Sequence, residues 1–406
     1  MNILVANKFY FVKGGAERYV FELSKILESR GHSVHPFSMT HPANVACDTS
    51  DLFVSNEPFD AAGGAGSRVR AAARVLYSRE ARRKIEALVD RAKPDVAHLH
   101  NIAHQLSPSI LYGLRAKGVP VVQTLHDYKL VCPNYQMFVD GRPCERCQTW
   151  RYYNAVVRRC MRDSAEESLL VCLEAYLHRF LGTYRRGVDL FIAPSEWLRG
   201  RMIAHGVDPS QIVHMPYAIE VGEYEPRYES DGTFVYFGRL SAGKGLETLV
   251  AAMAHLPEAR LRIVGDGPIG PDLRSEVERR GLSGVEFLGY RTGSDLKEIV
   301  SGSLAVVVPS ECYENSPLVV YEAGALGKAV VGSTMGGIPE LVVDGETGVL
   351  FETGESESLA ARLAELADDP ARTIAMGRAA RERAEREYSP GAHYERVMEI
   401  YERVIH

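Results

Sequence analysis

Short, almost wholly apolar runs alternate with longer amphipathic stretches from one end of the chain to the other. In the first half the runs are NILVAN, DVAHLH, PVVQTLH and DLFIAPS. In the second they are TFVYFGR, LRIVGDG, VEFLGY, LAVVVPS, AVVGS and TGVLF. Brief β-branched runs with little polar alternation read as strands buried on both faces. Between them ERYVFELSKILESRG, EWLRGRMIAHG, LETLVAAMAHL, PDLRSEVERRG and SLAARLAELADD carry apolar residues at helical spacing, with Gly or Pro at several ends. Strand–helix alternation of this kind predicts an α/β fold, with parallel sheets and helices on both faces.

The beat breaks at MPYAIEVGEYEPRYESDG, which is rich in Pro, Gly and charge and reads as a linker between two doubly wound domains. The expected division is 1–215 for a first domain with a cysteine-containing insertion at about 130–175, then 216–232 for the linker. A second domain follows at 233–388 and a C-terminal helix at 389–406. A length of 406 residues suits two cores better than one. In open parallel sheets ligands sit beyond the carboxyl ends of the strands, so two such domains facing across a cleft would hold a site between them.

Composition changes this picture little. Hydrophobic content of 46% and charged content of 25% belong to an ordinary globular protein. The net charge of −6 is modest, and no nucleic-acid partner is expected. Its distribution is less even. From Arg68 to Lys93 nine Lys and Arg face only Glu80, Glu86 and Asp90, and Arg142 to Arg186 is also arginine-rich. These stretches suit either solvated helix faces or contact with something anionic, such as a phospholipid surface or a phosphorylated acceptor. MNILVANKF turns polar too soon for a signal peptide. The longest apolar runs fall far short of the ~18 residues that cross a bilayer. The expectation is a cytoplasmic protein whose membrane contact is at most peripheral, at the inner face.

Four stretches carry candidate chemistry. Gly14 and Gly15, after the first strand, precede a helix; they are either a plain turn or a place where backbone N–H groups approach an anion. In VGDGPIG, Gly265, Gly267 and Gly270 match G-x-G-x-x-G, the mark of a dinucleotide fold. Pro268 inside the turn, and the lack of an acidic residue at the end of the next strand, argue against NAD. A glycine-lined turn holding a nucleotide base edge fits better. In YFGRLSAGKGLETLV, Arg239 and Lys244 share a glycine-rich loop between strand and helix, a natural clamp for a diphosphate. Its spacing is not that of a P-loop.

The fourth stretch is SECYENSPLVVYEAGALG, with Glu314 before a helix that Pro317 is placed to begin and Glu322 about a turn and a half inside it. Eight residues apart, at ~1.5 Å rise per helical residue, these carboxylates are too distant to share one reacting atom. They suit two ends of one elongated ligand, with free N–H groups near Ser316 and Leu318 meeting an anion between them.

Taken together, KGGAE, TLHDY with His126, GRLSAGKG, VGDGP and ENSPLVVYEAGALGKAVV resemble the family-4 retaining glycosyltransferases of the GT-B fold, over nearly the whole chain. The resemblance implies roles. Arg239 and Lys244 would neutralise a donor diphosphate and Glu322 would hold the ribose hydroxyls. Glu314, with the backbone of Asn315, Ser316, Pro317 and Leu318, would engage the transferred sugar and the distal phosphate. Gly14, Gly15, Gly265, Asp266 and Tyr290 would complete the donor side. His126 would sit beside the reacting carbon, with His100 a further candidate on the acceptor side. The implied reaction moves a hexose-type sugar from a UDP- or GDP-sugar to a hydroxyl of a glycan, lipid-linked saccharide or small molecule, with no metal needed for the chemistry. A GT-B sugar-nucleotide epimerase and a non-catalytic nucleotide-sugar-binding protein are the rival readings. Asn315 and Ser316 stand where many relatives carry Gly-Phe or Gly-Leu, so the donor sugar is left open.

Cys132, Cys144, Cys147 and Cys160 lie in the insertion that follows His126, with one C-x-x-C among them. Two readings stand: a structural zinc site of four thiolates, or reduced thiols packed as small hydrophobes.

Overall fold

Each of the apolar runs named above forms a strand. The structure, a computed structural model, describes residues 1–56 and 65–406, with side chains outside 57–70. Strands β1 (Asn2–Ala6), β2 (Ser33–Phe37), β3 (Val96–Leu99) and β4 (Val121–Thr124) come first. A short antiparallel hairpin follows, β5 (Phe138–Val139) with β6 (Arg142–Pro143), and then β7 (Leu190–Ala193) and β8 (Ile212–His214). Apart from the hairpin these make a six-stranded parallel sheet in the order β2-β1-β3-β4-β7-β8. Strands β9 (Thr233–Phe237), β10 (Arg260–Val264), β11 (Val285–Gly289), β12 (Ala305–Val308), β13 (Ala329–Ser333) and β14 (Gly348–Phe351) make a second. Its six strands run in the order β11-β10-β9-β12-β13-β14, again all parallel.

Both orders reverse once, between β1 and β3 in the first sheet and between β9 and β12 in the second. At such a point neighbouring strands send their outgoing chains to opposite sides, which opens a crevice at the carboxyl edge. Physical chemistry therefore points to the loops after β1 and β3, and after β9 and β12, before any side chain is considered.

The chain forms two units: Met1–Gln136 with Glu145–Ala218 and Tyr394–His406, and Met137–Cys144 with Ile219–His393. In the second unit Phe234, Leu261, Ile263, Val307 and Val331 of the sheet pack with Leu249, Leu363 and Met376 of the helices. Most of the segment expected as a linker belongs to this unit. The Ile219 N–H donates to Tyr388 O at 2.9 Å, and Arg381 reaches the Tyr224 carbonyl at 2.7 Å. The final helix, Pro390–Ile405, contributes to the first unit. There Tyr401 Oη lies 2.7 Å from His98 Nδ1, and Arg403 donates to Ser210 O at 2.7 Å.

The runs overlooked in the sequence are the two edges of the first sheet and the hairpin strands β5 and β6. Pro36 interrupts SVHPF, yet β2 pairs only with β1, with Pro36 opposite Val5, and an edge strand tolerates a missing N–H. Strand β8 is only three residues long. Of the seven Lys and Arg with described side chains in the stretch from Arg68 to Lys93, four are paired within the first unit. Arg74 and Lys84 lie on Glu80 at 2.8 and 3.2 Å, Arg82 on Glu86 at 2.8 Å and Arg91 on Asp51 at 2.7 Å. The side chains of Arg68 and Arg70 lie outside the described residues. Among the described residues no helix is long and apolar enough to cross a membrane.

Candidate functional site

In the second unit the loops leaving β10, β9, β12 and β13 are knitted together through glycines. A Cβ on Gly267 would lie 2.2 Å from Leu240 O, and one on Gly265 would lie 1.9 Å from Gly238 O. The G-x-G-x-x-G pattern is thus explained by close approach of two loops. Gly245, at φ +67°, sits so that a Cβ would meet Pro309 O at 1.8 Å, which locks the β9 loop onto the β12 loop. Gly245→Ala is expected to cost about 3 kcal/mol through strain and collision. That should lower the unfolding midpoint of this unit by roughly 5–10 °C in a thermal melt.

On that frame Lys244 Nζ lies 2.5 Å from Glu314 Oε1, and Ser310 Oγ donates to the same oxygen at 2.8 Å. The Glu311 and Cys312 N–H groups both donate to Gly243 O at 2.8 Å, and Gly337 N–H donates to Glu314 O at 2.8 Å. Burial pushes the Glu314 carboxyl up, but the Lys244 charge and the two hydrogen bonds outweigh it and hold the group below the usual carboxylate range. Burial likewise works against the Lys244 ammonium, and Glu314 more than restores it. The neighbouring Cys312 thiol is pushed up to about 11, first by burial and then by Glu314, so it is neutral.

The sequence assigned Lys244 and Glu314 separately to the ligand; the structure joins them to each other. An ammonium carries three N–H donors. The Lys244 side chain is 30% exposed and that of Glu314 16% exposed. Arg239, on the same loop, is exposed.

The helix Leu318–Ala325 begins one residue later than expected, because Pro317 takes the N-cap position with φ −70° and ψ 117°. Asn315 and Ser316 are buried ahead of it, and Ser316 Oγ is 2.6 Å from Tyr321 Oη. The Ser316 hydroxyl is therefore committed to the protein, which leaves its main chain for a ligand. Glu322 is half-buried, with Tyr224 Oη donating to it at 3.4 Å. Asp266 is exposed and accepts the Gly267 N–H at 2.7 Å, and Tyr290 is 73% exposed.

The first unit holds the remaining candidates. Gly14 caps the helix Gly15–Ser29 with φ −164°, an extended conformation open to any residue, so no turn there requires glycine. His126, after β4, has Nδ1 2.7 Å from Tyr217 Oη and Nε2 3.0 Å from His100 Nδ1. His98 stacks on His100 at 4.4 Å, and its Nε2 lies 2.7 Å from Thr124 Oγ1. Burial holds His126 down at about 3 and His100 well below the histidine range, so both rings are neutral. A small cavity is walled by His100, His126, Asp127 and Lys129. Burial raises Asp127 against the pull of the Lys129 N–H and of Lys8, and burial lowers Lys8 against Asp127 and Glu17.

Both ring nitrogens of neutral His126 already face protein partners. The ring is a poor base. Sequence reasoning missed Tyr217, Asp127 and Lys8. Asp127 was legible as the neighbour of His126 in TLHDY, whereas Tyr217 lies 91 residues from its partner.

The described residues contain no group of three or more His, Cys, Asp or Glu arranged to hold a metal ion. Cys144 belongs to the second unit and Cys132, Cys147 and Cys160 to the first. Cys132 Sγ donates to Asn134 Oδ1 at 2.9 Å, and Cys147 packs with Tyr152 and Cys172 in a small apolar cluster.

Residues 13–223 match the family described as Glycosyltransferase Family 4, and residues 223–383 match Glycosyl transferases group 1. A glycogen synthase of Mycobacterium tuberculosis is 28% identical over 404 residues, covering 94% of this chain and 90% of the relative. The sulfoquinovosyl transferase SQD2 of Arabidopsis thaliana is 32% identical over 225 residues, but that match spans 51% of this chain and only 43% of the plant protein. Among solved structures, a sucrose-phosphate synthase from Thermosynechococcus elongatus has a TM-score of 0.72 at 22% identity, covering 99% of this chain and 98% of its own. Anabaena HepE, in complex with UDP and glucose, has a TM-score of 0.68 at 19% identity, covering 99% of both chains. These structural likenesses carry the fold, two Rossmann-like domains of the GT-B type, and the family match carries the class of reaction. The chain belongs to glycosyltransferase family 4.

Proposed function

We propose that this enzyme moves a hexose-type sugar from a UDP- or GDP-sugar to a hydroxyl of a glycan, lipid-linked saccharide or small molecule, with retention at the anomeric carbon. The observation that carries the reading is the Lys244–Glu314 pair at the strand-order reversal of the second sheet, next to the start of the helix Leu318–Ala325. Lys244 and Arg239 supply positive charge where a leaving diphosphate gains negative charge, and the first-turn N–H groups of the helix add to it. Glu314, fixed as a carboxylate, accepts hydrogen bonds from sugar hydroxyls, and Glu322 accepts those of a ribose. Neither carboxylate acts as an acid or base. The leaving diphosphate oxygen takes the acceptor proton as the new bond forms on the same face. In this reading Arg239, Lys244 and the helix do the work a divalent cation does elsewhere, so the chemistry needs no metal. The UDP and UDP-glucose complexes of HepE support a nucleotide-sugar donor.

Incubation with a panel of UDP-, GDP- and ADP-sugars in EDTA, followed by ³¹P and ¹H NMR, tests this. The expected result is slow release of nucleoside diphosphate from one donor class, with the anomeric configuration kept. Interconversion of donor epimers, or tight binding with no turnover, would instead establish one of the rival readings.

A further inference from the structure

Twelve large apolar side chains are exposed among the described residues, and eight of them fall between residues 150 and 181 of the first unit. Leu169, Leu173, Tyr176 and Phe180 follow one another along the helix Ala165–Phe180 in steps of four, three and four. At about 3.6 residues per turn they occupy roughly 60° of its circumference. The core side of the same helix is separate and already filled, by Ser168, Val171, Cys172, Glu174 and His178. Phe180 is 89% exposed, and on the adjoining helix Tyr153–Val157 the side chain of Val157 is 75% exposed. A helix facing only water would carry polar residues there.

The border of this patch is cationic. From residue 150 to 186 there are seven arginines against Asp163, Glu166, Glu167 and Glu174, and Glu174 is buried on Lys129 at 2.7 Å. Phe180 also stands on the wall of a cavity of about 400 Å³, which Arg179, Arg185 and Arg186 line as well. Glu174 and His178 line the same cavity, and each has a buried polar atom, Oε1 and Nε2, without a protein partner. Trp150, Tyr153 and Tyr176, exposed in the same region, have the apolar body and polar tip that settle at a membrane–water boundary.

We propose that the helices Tyr153–Val157 and Ala165–Phe180 form a docking face for an anionic phospholipid bilayer. The Leu169–Phe180 stripe enters the headgroup–acyl boundary, and Arg179, Arg185 and Arg186 engage lipid phosphates, one of them at the cavity mouth. An apolar stripe with arginines beside its Phe180 end matches a surface that is apolar within and negative at its rim. The proposal goes beyond the transfer reaction and is tested without a sugar donor.

The test is co-sedimentation of the full chain with vesicles of phosphatidylcholine alone and of phosphatidylcholine with phosphatidylglycerol. Binding is expected only to the anionic vesicles, and it should weaken as salt is raised from about 0.1 to 0.5 M. The double variant Leu173→Asp/Phe180→Asp should bind at least about tenfold more weakly with an unchanged thermal melt, because both residues are exposed. Arg185→Glu/Arg186→Glu should weaken binding to anionic vesicles in the same way. Equal binding to both vesicle types, wild-type binding by the Leu173/Phe180 variant, or full displacement by millimolar inorganic phosphate would overturn the proposal. So would a concentration-dependent dimer that the Leu173/Phe180 variant abolishes while vesicle binding is absent, since it would give this face to a second copy of the chain.

Discussion

Lys244→Ala is expected to lower turnover of the sugar-nucleotide donor by about 10²–10³-fold, the usual cost of deleting one preorganised charge at a developing anion. Two consequences of one geometry combine here. In the proposed reading the ammonium meets the leaving diphosphate, and it is also the cation that keeps Glu314 ionised, 2.5 Å away. Without it, burial is opposed only by Ser310, so the carboxyl rises toward or above its ordinary range and loses its fixed acceptor role. Breaking the pair should also cost stability, discounted because Lys244 keeps 30% exposure, to about 1–2 kcal/mol. Lys244→Arg retains the charge but not the single short contact, and it should recover part of the rate. Steady-state kinetics at saturating donor separates these effects. A variant that turns over donor within about threefold of wild type would remove Lys244 from the chemistry.

The second large effect is acid instability confined to the first unit. His126 is held at about 3, and His104 and His205 at about 4, each chiefly by burial. For His104 and His205 nearby cations, Lys129 and Arg179, add to the depression. The ordinary histidine value is about 6.5. Below it the unfolded chain takes up protons that the folded chain refuses, so stability falls as pH drops from about 6.5 toward 4. At pH 5 this amounts to about 2 kcal/mol for each histidine and about 6 kcal/mol together, comparable to the whole stability of a domain. All three lie in the first unit, and so do both tryptophans, Trp150 and Trp197. Tryptophan fluorescence therefore follows that unit selectively. Its melting midpoint should fall steeply between pH 7 and pH 5, and a flat midpoint over that interval would contradict the buried neutral histidines.

The fold was legible wherever burial on both faces wrote an unbroken apolar run, as in LAVVVPS or DLFIAPS. It was illegible at the edges of the first sheet, where Pro36 and the brevity of β8 erase the signal. The switch-point loops were legible too, because glycines beside Arg239 and Lys244 and a helix after Pro317 point to anion binding from composition alone. What sequence could not supply was pairing. Lys244 and Glu314 are 70 positions apart, and His126 meets Tyr217 across 91, so each looked like a group waiting for a ligand when it already had a protein partner. Helical periodicity also has no sign. Leu169, Leu173, Tyr176 and Phe180 carry the spacing of a core face, and the fold turns them outward.

The central claim is that the loops after β9 and β12 grip a nucleoside diphosphate sugar between the Lys244–Glu314 pair and the helix that starts at Leu318. A crystal structure of the enzyme with its bound donor tests it most directly. The diphosphate should lie at hydrogen-bond distance from Lys244 and Arg239 and against the N-terminus of that helix, with the ribose on Glu322 and the sugar on Glu314. A nucleotide seated elsewhere, with Lys244 and Glu314 touching only each other, would contradict the account.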